Sequence, residues 1–169
     1  MQLMPDTPVD SILARAAEII DSGGDFQIAY DLLQPLLAAQ DPAAQFIYAH
    51  FGLPGETRDE LEARSINLLQ SASDAGYPPA MYELAVCLDA GGSTVDLVAI
   101  DKIRAAALFK KAADAGYPKA KRIHGLDLFY GSNGISQDKA LGIALLEQAV
   151  AANVYLAAED LGWLRSREF

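Results

Sequence analysis

Residues 74–80 read DAGYPPA and residues 114–120 read DAGYPKA, nearly the same seven letters forty positions apart. No other feature of the chain restricts its fold so strongly. A repeat of that length is one supersecondary unit that cannot bury its own apolar face, so neighbouring units must stack. The match extends outward: LLQSAS and LFKKAA precede the two copies, and MYELAVCL and KRIHGLDL follow them. Alignment on Ala80 and Ala120 brings Leu84 onto His124, Ala85 onto Gly125, Leu88 onto Leu128 and Gly91 onto Gly131. The same mark returns at Ala44, with Tyr48 and Ala49, and at Ala157, with Leu161 and Gly162. The spacings are 36, 40 and 37 residues, which defines an array.

Between these marks the period is helical. Over residues 101–115, Ile103, Ala106, Ala107, Phe109 or Lys110, and Ala113 fall at core spacings, with basic residues opposite. Residues 61–75 and 138–152 follow the same course, with Leu68–Leu69 and Leu145–Leu146 standing where Leu108–Phe109 stand. Asp59 and Asp101 lie where a carboxylate can cap a helix start. Gly76 and Gly116 follow the last turn, where a left-handed residue closes a helix, and Pro78 and Pro118 open the next one. DAGYP is therefore the corner between two helices, with its Tyr expected in the seam between units. The small residues Ala49, Ala85, Gly125 and Gly162 are expected to let the two helices of a unit approach closely. No apolar run approaches the roughly 18 residues of a membrane span, and alanine and leucine in place of β-branched runs favour helix.

This pattern resembles the Sel-one-like repeats, relatives of the tetratricopeptide repeats. Leu84-Ala85, Gly91, Asp101, Arg104-Ala105 and Ala112-Ala113-x-x-Gly116 carry the resemblance in one unit. His124-Gly125, Gly131, Gly134-Ile135, Asp138 and Lys139-Ala140 carry it in the next, while Gly142, Asn153 and the long DAGGSTVDLVAI loop match less well. The resemblance implies an all-α, right-handed solenoid of stacked antiparallel helical hairpins in one domain. Its units would be 42–77, 78–117 and 118–154. Residues 8–41 read as a tetratricopeptide-like first unit, with helices over VDSILARAAEIIDSG and FQIAYDLLQPLLAAQ, the second kinked or ended early by Pro35. Residues 155–169 read as a capping helix.

The chemistry-bearing residues are sparse. Two histidines, His50 and His124, and one cysteine, Cys87, offer no metal-ligand spacing. His124 is expected to be a packed seam residue and Cys87 an inert buried thiol. GGST (91–94) and GSNG (131–134) lack the phosphate-loop pattern, and the adjacent Glu159 and Asp160 point to different sides of a helix. No catalytic constellation, cofactor site or metal site is expected. The net charge is −10, and residues 1–60 carry ten acids against Arg15 and Arg58, a net of −8. That balance opposes nucleic acid and anionic membranes and suits a basic protein or peptide partner. The first residues, MQLMPDTPVD, lack a secretory signal pattern, and a single cysteine fits a reducing cytoplasm.

If the core residues of each unit's helix sit at positions zero, four and eight from the repeat Ala, positions two and six face the other way. They hold Phe46 and His50, Tyr82 and Val86, Arg122 and Leu126, and Glu159 and Trp163. These eight would line a concave partner-binding groove, or several of them pack against neighbouring helices. The resemblance implies a non-catalytic scaffold or adaptor, often in bacterial signalling, envelope or secretion systems. Two rivals from other classes are a dedicated inhibitor, such as an immunity protein neutralising one toxin, and an enzyme with a site grafted on the solenoid, which the lack of any polar constellation disfavours.

Overall fold

The structure, a computed structural model, describes residues 8–90 and 99–167. Among these residues it holds helices and no strand. In chain order the helices are α1 (Val9–Asp21), α2 (Phe26–Ala38), α3 (Pro42–Tyr48), α4 (Arg58–Asp74) and α5 (Pro78–Ala90), then α6 (Lys102–Asp114), α7 (Pro118–Tyr130), α8 (Lys139–Ala151) and α9 (Ala157–Arg165). They form two compact units, the first ending at Ala80 and the second beginning at Met81. Gly91 and the GGST stretch lie outside the described residues.

In the first unit α1 packs on α2, and α3 packs on both and on α4. Ile12, Ala16 and Ile19 recur at helical spacing along α1 and meet Ala29, Leu33 and Leu36 of α2. Leu33 is fully buried, a side chain worth about 2 kcal/mol in removal from water. Pro35 does not end α2, which runs on to Ala38. The cap of α4 is Thr57, which forms a reciprocal capping box with Glu60; Asp59 sits in the first turn, where it suits the helix dipole without capping it. Asp25, Asp41, Asp101 and Asp138 each accept a backbone N–H at the start of α2, α3, α6 and α8.

The corner motif has a backbone cause. Gly76 and Gly116 have φ of +90° and +93°. At the first, Tyr77 N–H donates to the Ala72 carbonyl and Gly76 N–H to that of Ser73; at the second, Tyr117 donates to Ala112 and Gly116 to Ala113. This pair of bonds is the Schellman closure, which needs a left-handed residue where glycine stands. The same pair closes α8, where Asn153 (φ +55°) and Val154 donate to Val150 and Ala149. Asparagine tolerates that conformation, so the imperfect match at Asn153 still makes the turn. The expected seam tyrosines are in place: Tyr77 packs over Ala49, Leu69, Ala72 and Ala80, and Tyr117 over Ala112, Ala113 and Ala120.

In the second unit α5 and α6 share a cluster of Leu84, Ala85, Leu88, Ala105 and Phe109, and α6, α7, α8 and α9 pack in sequence. The buried stripe of α6 is Ala105, Ala106, Phe109, Ala112 and Ala113. Ile103, expected in the core, is 69% exposed, and Ala107 is exposed too. The stripe begins two residues later than the apolar letters suggest, because Ala105 rather than Ile103 faces α5. Gly125 and Gly142 face each other: a Cβ on Gly125 would lie 2.8 Å from the Gly142 carbonyl oxygen, and one on Gly142 would lie 2.6 Å from that of Gly125. Gly162, expected to make a similar approach, faces open space, since α9 has no following helix on that side among the described residues.

Candidate functional site

The eight residues expected to bind a partner divide by environment. In the first unit the Phe46 and His50 rings lie tilted against each other with centroids 4.5 Å apart, and Tyr77 meets Phe46 edge-on at 5.5 Å. Phe46 is half-buried against the Ala49–Leu69 cluster, whereas His50 is exposed. In the second unit Tyr82 is half-buried between Phe109 and Tyr117, at 5.5 and 5.4 Å. Leu126 packs against the cluster of Phe129, Leu146, Leu161 and Leu164. Val86, Glu159 and Trp163 are exposed. Trp163 lies 6.1 Å from Tyr130, with the Arg167 guanidinium 3.9 Å from its ring centre. Phe46, Tyr82 and Leu126 thus spend much of their surface between helices, as large apolar side chains at a close-packed seam must.

Tyr82 and Arg122, two of the eight, share a concavity. It is an open groove of about 570 Å³ lined by Tyr82, Tyr117, Pro118, Lys119, Arg122, Ala152, Asn153, Val154 and Tyr155. Three local features build it. The Schellman corner puts Tyr117 beside Pro118 at the start of α7, whose first turn has no side-chain cap. The same closure at Asn153 turns the chain out of α8, and Leu156 (φ +63°) turns it again before α9. Tyr155, held between those two left-handed residues, is 82% exposed. Arg122 Nε donates to Asp160 Oδ2 at 2.6 Å, an ion pair between α7 and α9 with both side chains about four-fifths buried. Burial pushes the Tyr82 phenol pKa up, with the Arg122 charge opposing the rise. Lys119, Tyr155 and Val154 were not among the residues expected to bind.

Two further titratable groups, Cys87 and His124, lie in or near the packed interior. Burial raises the Cys87 thiol pKa, with Glu83 adding to it, so the thiolate nucleophile is disfavoured. His124 is 3% exposed and its Nδ1 has no hydrogen-bond partner among the described residues. Burial pushes its pKa down, and Lys110 adds to the shift against Asp114 and Asp127. The folded imidazole therefore takes a proton later than the unfolded one as pH falls. Stability is lost below the ordinary histidine range, near pH 6.5. His124→Leu, the residue at the same place in Leu84 and Leu161, is expected to stabilise the protein by about 1 kcal/mol at pH 7 and by more at pH 5. Urea denaturation at the two pH values checks this; an equal or smaller gain at pH 5 would count against it.

Among the described residues no group of three His, Cys, Asp or Glu side chains could hold a metal ion, and no helix is long and apolar enough to cross a membrane.

Helical hairpins joined by Schellman corners, with small residues at the crossing points, define a helical-repeat protein. The chain belongs to the Sel1 repeat family: the Sel1 repeat model matches residues 42–77, 78–117 and 124–154. Among solved structures it is similar to a Sel1 repeat protein from Oxalobacter formigenes, at 26% identity and a TM-score of 0.65, over 77% of this chain and 94% of that one. No curated protein sequence matches it. Sel1 repeat proteins are generally protein-interaction modules and generally non-catalytic.

Proposed function

We propose that this chain is a non-catalytic scaffold or adaptor that holds a protein or peptide partner, with the groove of the second unit as its main contact. The observation that carries the reading is that groove: an open concavity whose lining includes three tyrosines, a proline and a valine beside Lys119 and Arg122. Exposed aromatic surface of this kind is what interface anchors occupy. Trp163 and Val86, exposed on the same unit, extend the candidate surface, and Phe46 with His50 offers a smaller aromatic patch on the first. The single cysteine suits work in a reducing, cytoplasmic setting.

A tagged protein used to capture partners from the host lysate tests the reading. Tyr82 is a poor probe because its removal would open the Phe109–Tyr117 packing. Tyr155→Ala and Trp163→Ala remove exposed rings instead, and each is expected to weaken capture about tenfold or more with an unchanged helical circular dichroism spectrum. Capture that survives both substitutions would sink the groove as the contact surface. The net charge of −8 over residues 1–60 favours a second reading, a dedicated inhibitor of one basic protein. That reading requires a single stoichiometric partner whose complex weakens with salt.

A further inference from the structure

The groove's charge runs against that of the chain. The sequence carries 23 acids and 13 Lys or Arg, yet the groove lining contains Lys119 and Arg122 and no acid. Asp160 balances Arg122 and also fixes it: the bond to Nε leaves the two Nη groups, which make no hydrogen bond among the described residues. An arginine held by one edge presents a preset fork of N–H donors, the shape that a carboxylate fills with paired hydrogen bonds. Lys119 is exposed and has no ion pair among the described residues, so it supplies a surplus positive charge at the rim. The rings of Tyr82, Tyr117 and Tyr155 line the same groove. Tyr155 keeps four-fifths of its surface in water although a large ring gains by burial. The following residue, Leu156, holds a left-handed backbone conformation (φ +63°) that a non-glycine residue adopts only at a cost. The strained turn thus holds an uncovered aromatic beside two cations.

We propose that this groove binds a peptide segment in which an aromatic or aliphatic side chain stands next to a carboxylate. The apolar side chain seats against the three tyrosines, and the carboxylate is received by the Arg122 fork with Lys119 beside it. The proposal rests on the groove being the interaction surface and adds the chemistry of what enters it. A basic segment would meet two like charges there, and a phosphate backbone would be repelled by a protein of net charge −10. The carboxylate can belong to an Asp or Glu side chain or to a chain terminus.

The test titrates the isotope-labelled full chain with short synthetic peptides and follows backbone amide shifts. Three peptides, blocked at both ends, carry Trp-Glu, Trp-Gln or Trp-Lys at their centre; a fourth ends in Trp with a free carboxylate and has no acidic side chain. Trp-Glu is expected to shift the amides of Lys119, Asn153 and Tyr155, with Trp-Gln about tenfold weaker and Trp-Lys weaker still. Binding by the fourth peptide equal to that of Trp-Glu assigns the site to chain termini; binding equal to that of Trp-Gln assigns it to side chains. Both results support the proposal. Lys119→Glu, on an exposed position with no ion pair among the described residues, should weaken Trp-Glu about threefold and improve Trp-Lys. Arg122→Gln should weaken Trp-Glu about tenfold. Equal binding of Trp-Glu and Trp-Lys, shifts confined to other residues, no shift with any peptide, or equal shifts from a single-stranded oligonucleotide would each overturn it. If Tyr155→Ala and Trp163→Ala weaken partner capture as expected while the peptides show no charge preference, the interaction reading stands and the carboxylate assignment fails. If capture also survives those substitutions, the groove reading has failed as well.

Discussion

Gly142→Ala is expected to lower the stability of the protein by about 2 kcal/mol, whereas Gly162→Ala is expected to raise it by about 1 kcal/mol. Both exchanges place the better helix former in a helix, so propensity alone predicts a gain at each. The difference lies in what the new methyl group meets. On Gly142 it would stand 2.6 Å from the Gly125 carbonyl oxygen and 3.0 Å from the Phe129 backbone nitrogen. These are backbone atoms of α7, with no side chain that could swing aside, so the whole α7–α8 crossing must open. On Gly125 the methyl would meet the Gly142 carbonyl oxygen at 2.8 Å and the Leu146 side chain at 3.3 Å, and Gly125→Ala should lose a similar amount. On Gly162 it would meet nothing within 4 Å. Gly125 and Gly162 occupy the same place in the repeat, so propensity assigns them the same sign and only packing separates them. Denaturant midpoints followed by circular dichroism decide the matter. Stabilisation by Gly142→Ala would mean that the two helices do not cross at these glycines.

Gly162 also shows where the sequence ceases to be informative. Repeat alignment reports that a position is small; it does not report whether a neighbour exists to use the space. The array stops at α9 among the described residues, and the constraint stops with it. Conversely, Gly142 looked like a poor match, yet it is the partner of Gly125, because close approach is a property of two positions in different helices. The corners were legible where glycine and proline mark them, at DAGYP. Three further corners use the same bonds. Gly23 and Gly24 donate to Ile20 and Ile19, Gln40 and Asp41 to Leu37 and Leu36, and Asn153 and Val154 to Val150 and Ala149. Gln40 adopts φ +57° without glycine's freedom, so nothing in its side chain announces the turn. The core stripe of α6 was misplaced for a related reason. Alanine is a weak hydrophobe by letter, but at a tight crossing Ala105 is buried to 1% while the larger Ile103 stays 69% exposed.

The candidate site was legible in part. Counting positions along one helix brought out Tyr82 and Arg122, and both line the groove. The same count brought out Phe46 and Leu126, which lie in seams, because a single-helix wheel does not contain the neighbouring helix. Tyr155 and Lys119 escaped the count altogether. They sit at the end of one connection and the start of a helix 36 residues earlier, and only the stacking of α7 against α8 and α9 makes them one surface. An aromatic residue between two turn positions, in a segment with no core role, was the available signal.

Arg64→Met should cost the protein about 3 kcal/mol at neutral pH, one of the largest losses expected from any single side chain. Nothing in the repeat pattern singles out this arginine, but it holds the connection between α3 and α4 together. Its Nε and Nη2 donate to the two carboxylate oxygens of Glu56 at 2.7 and 2.8 Å. Nη1 donates to the Tyr48 carbonyl at 2.7 Å and Nη2 also to that of Phe51 at 2.8 Å. The guanidinium carbon lies 3.8 Å from the centre of the Tyr48 ring. α3 is short and ends at Tyr48, so its last carbonyls need outside donors, and a cation suits the negative end of the helix. Both Arg64 and Glu56 side chains are less than a fifth exposed. Methionine would fill the volume yet leave a mostly buried carboxylate with the Leu53 N–H as its remaining donor, and the Tyr48 and Phe51 carbonyls without the donors Arg64 supplies. Arg64→Lys keeps the charge but lacks the fork, and should recover less than half of the loss.

The pH dependence separates the ion pair from mere packing. Hydrogen bonds from Arg64 hold the Glu56 carboxyl below the usual carboxylate range, against the opposing effect of its burial. A lowered folded pKa means that the unfolded chain takes up the proton first. The stabilisation is therefore complete above about pH 5 and is lost as the solution is acidified through and below the ordinary glutamate value near 4.3. Unfolding of the wild type and of Arg64→Met, compared at pH 7 and at pH 3, should show a wide gap at the first and a narrower one at the second. A gap of the same size at both would assign the loss to the carbonyl contacts and the Tyr48 ring rather than to the carboxylate. Equal stabilities at pH 7 would mean that the fork does not hold the α3–α4 connection at all.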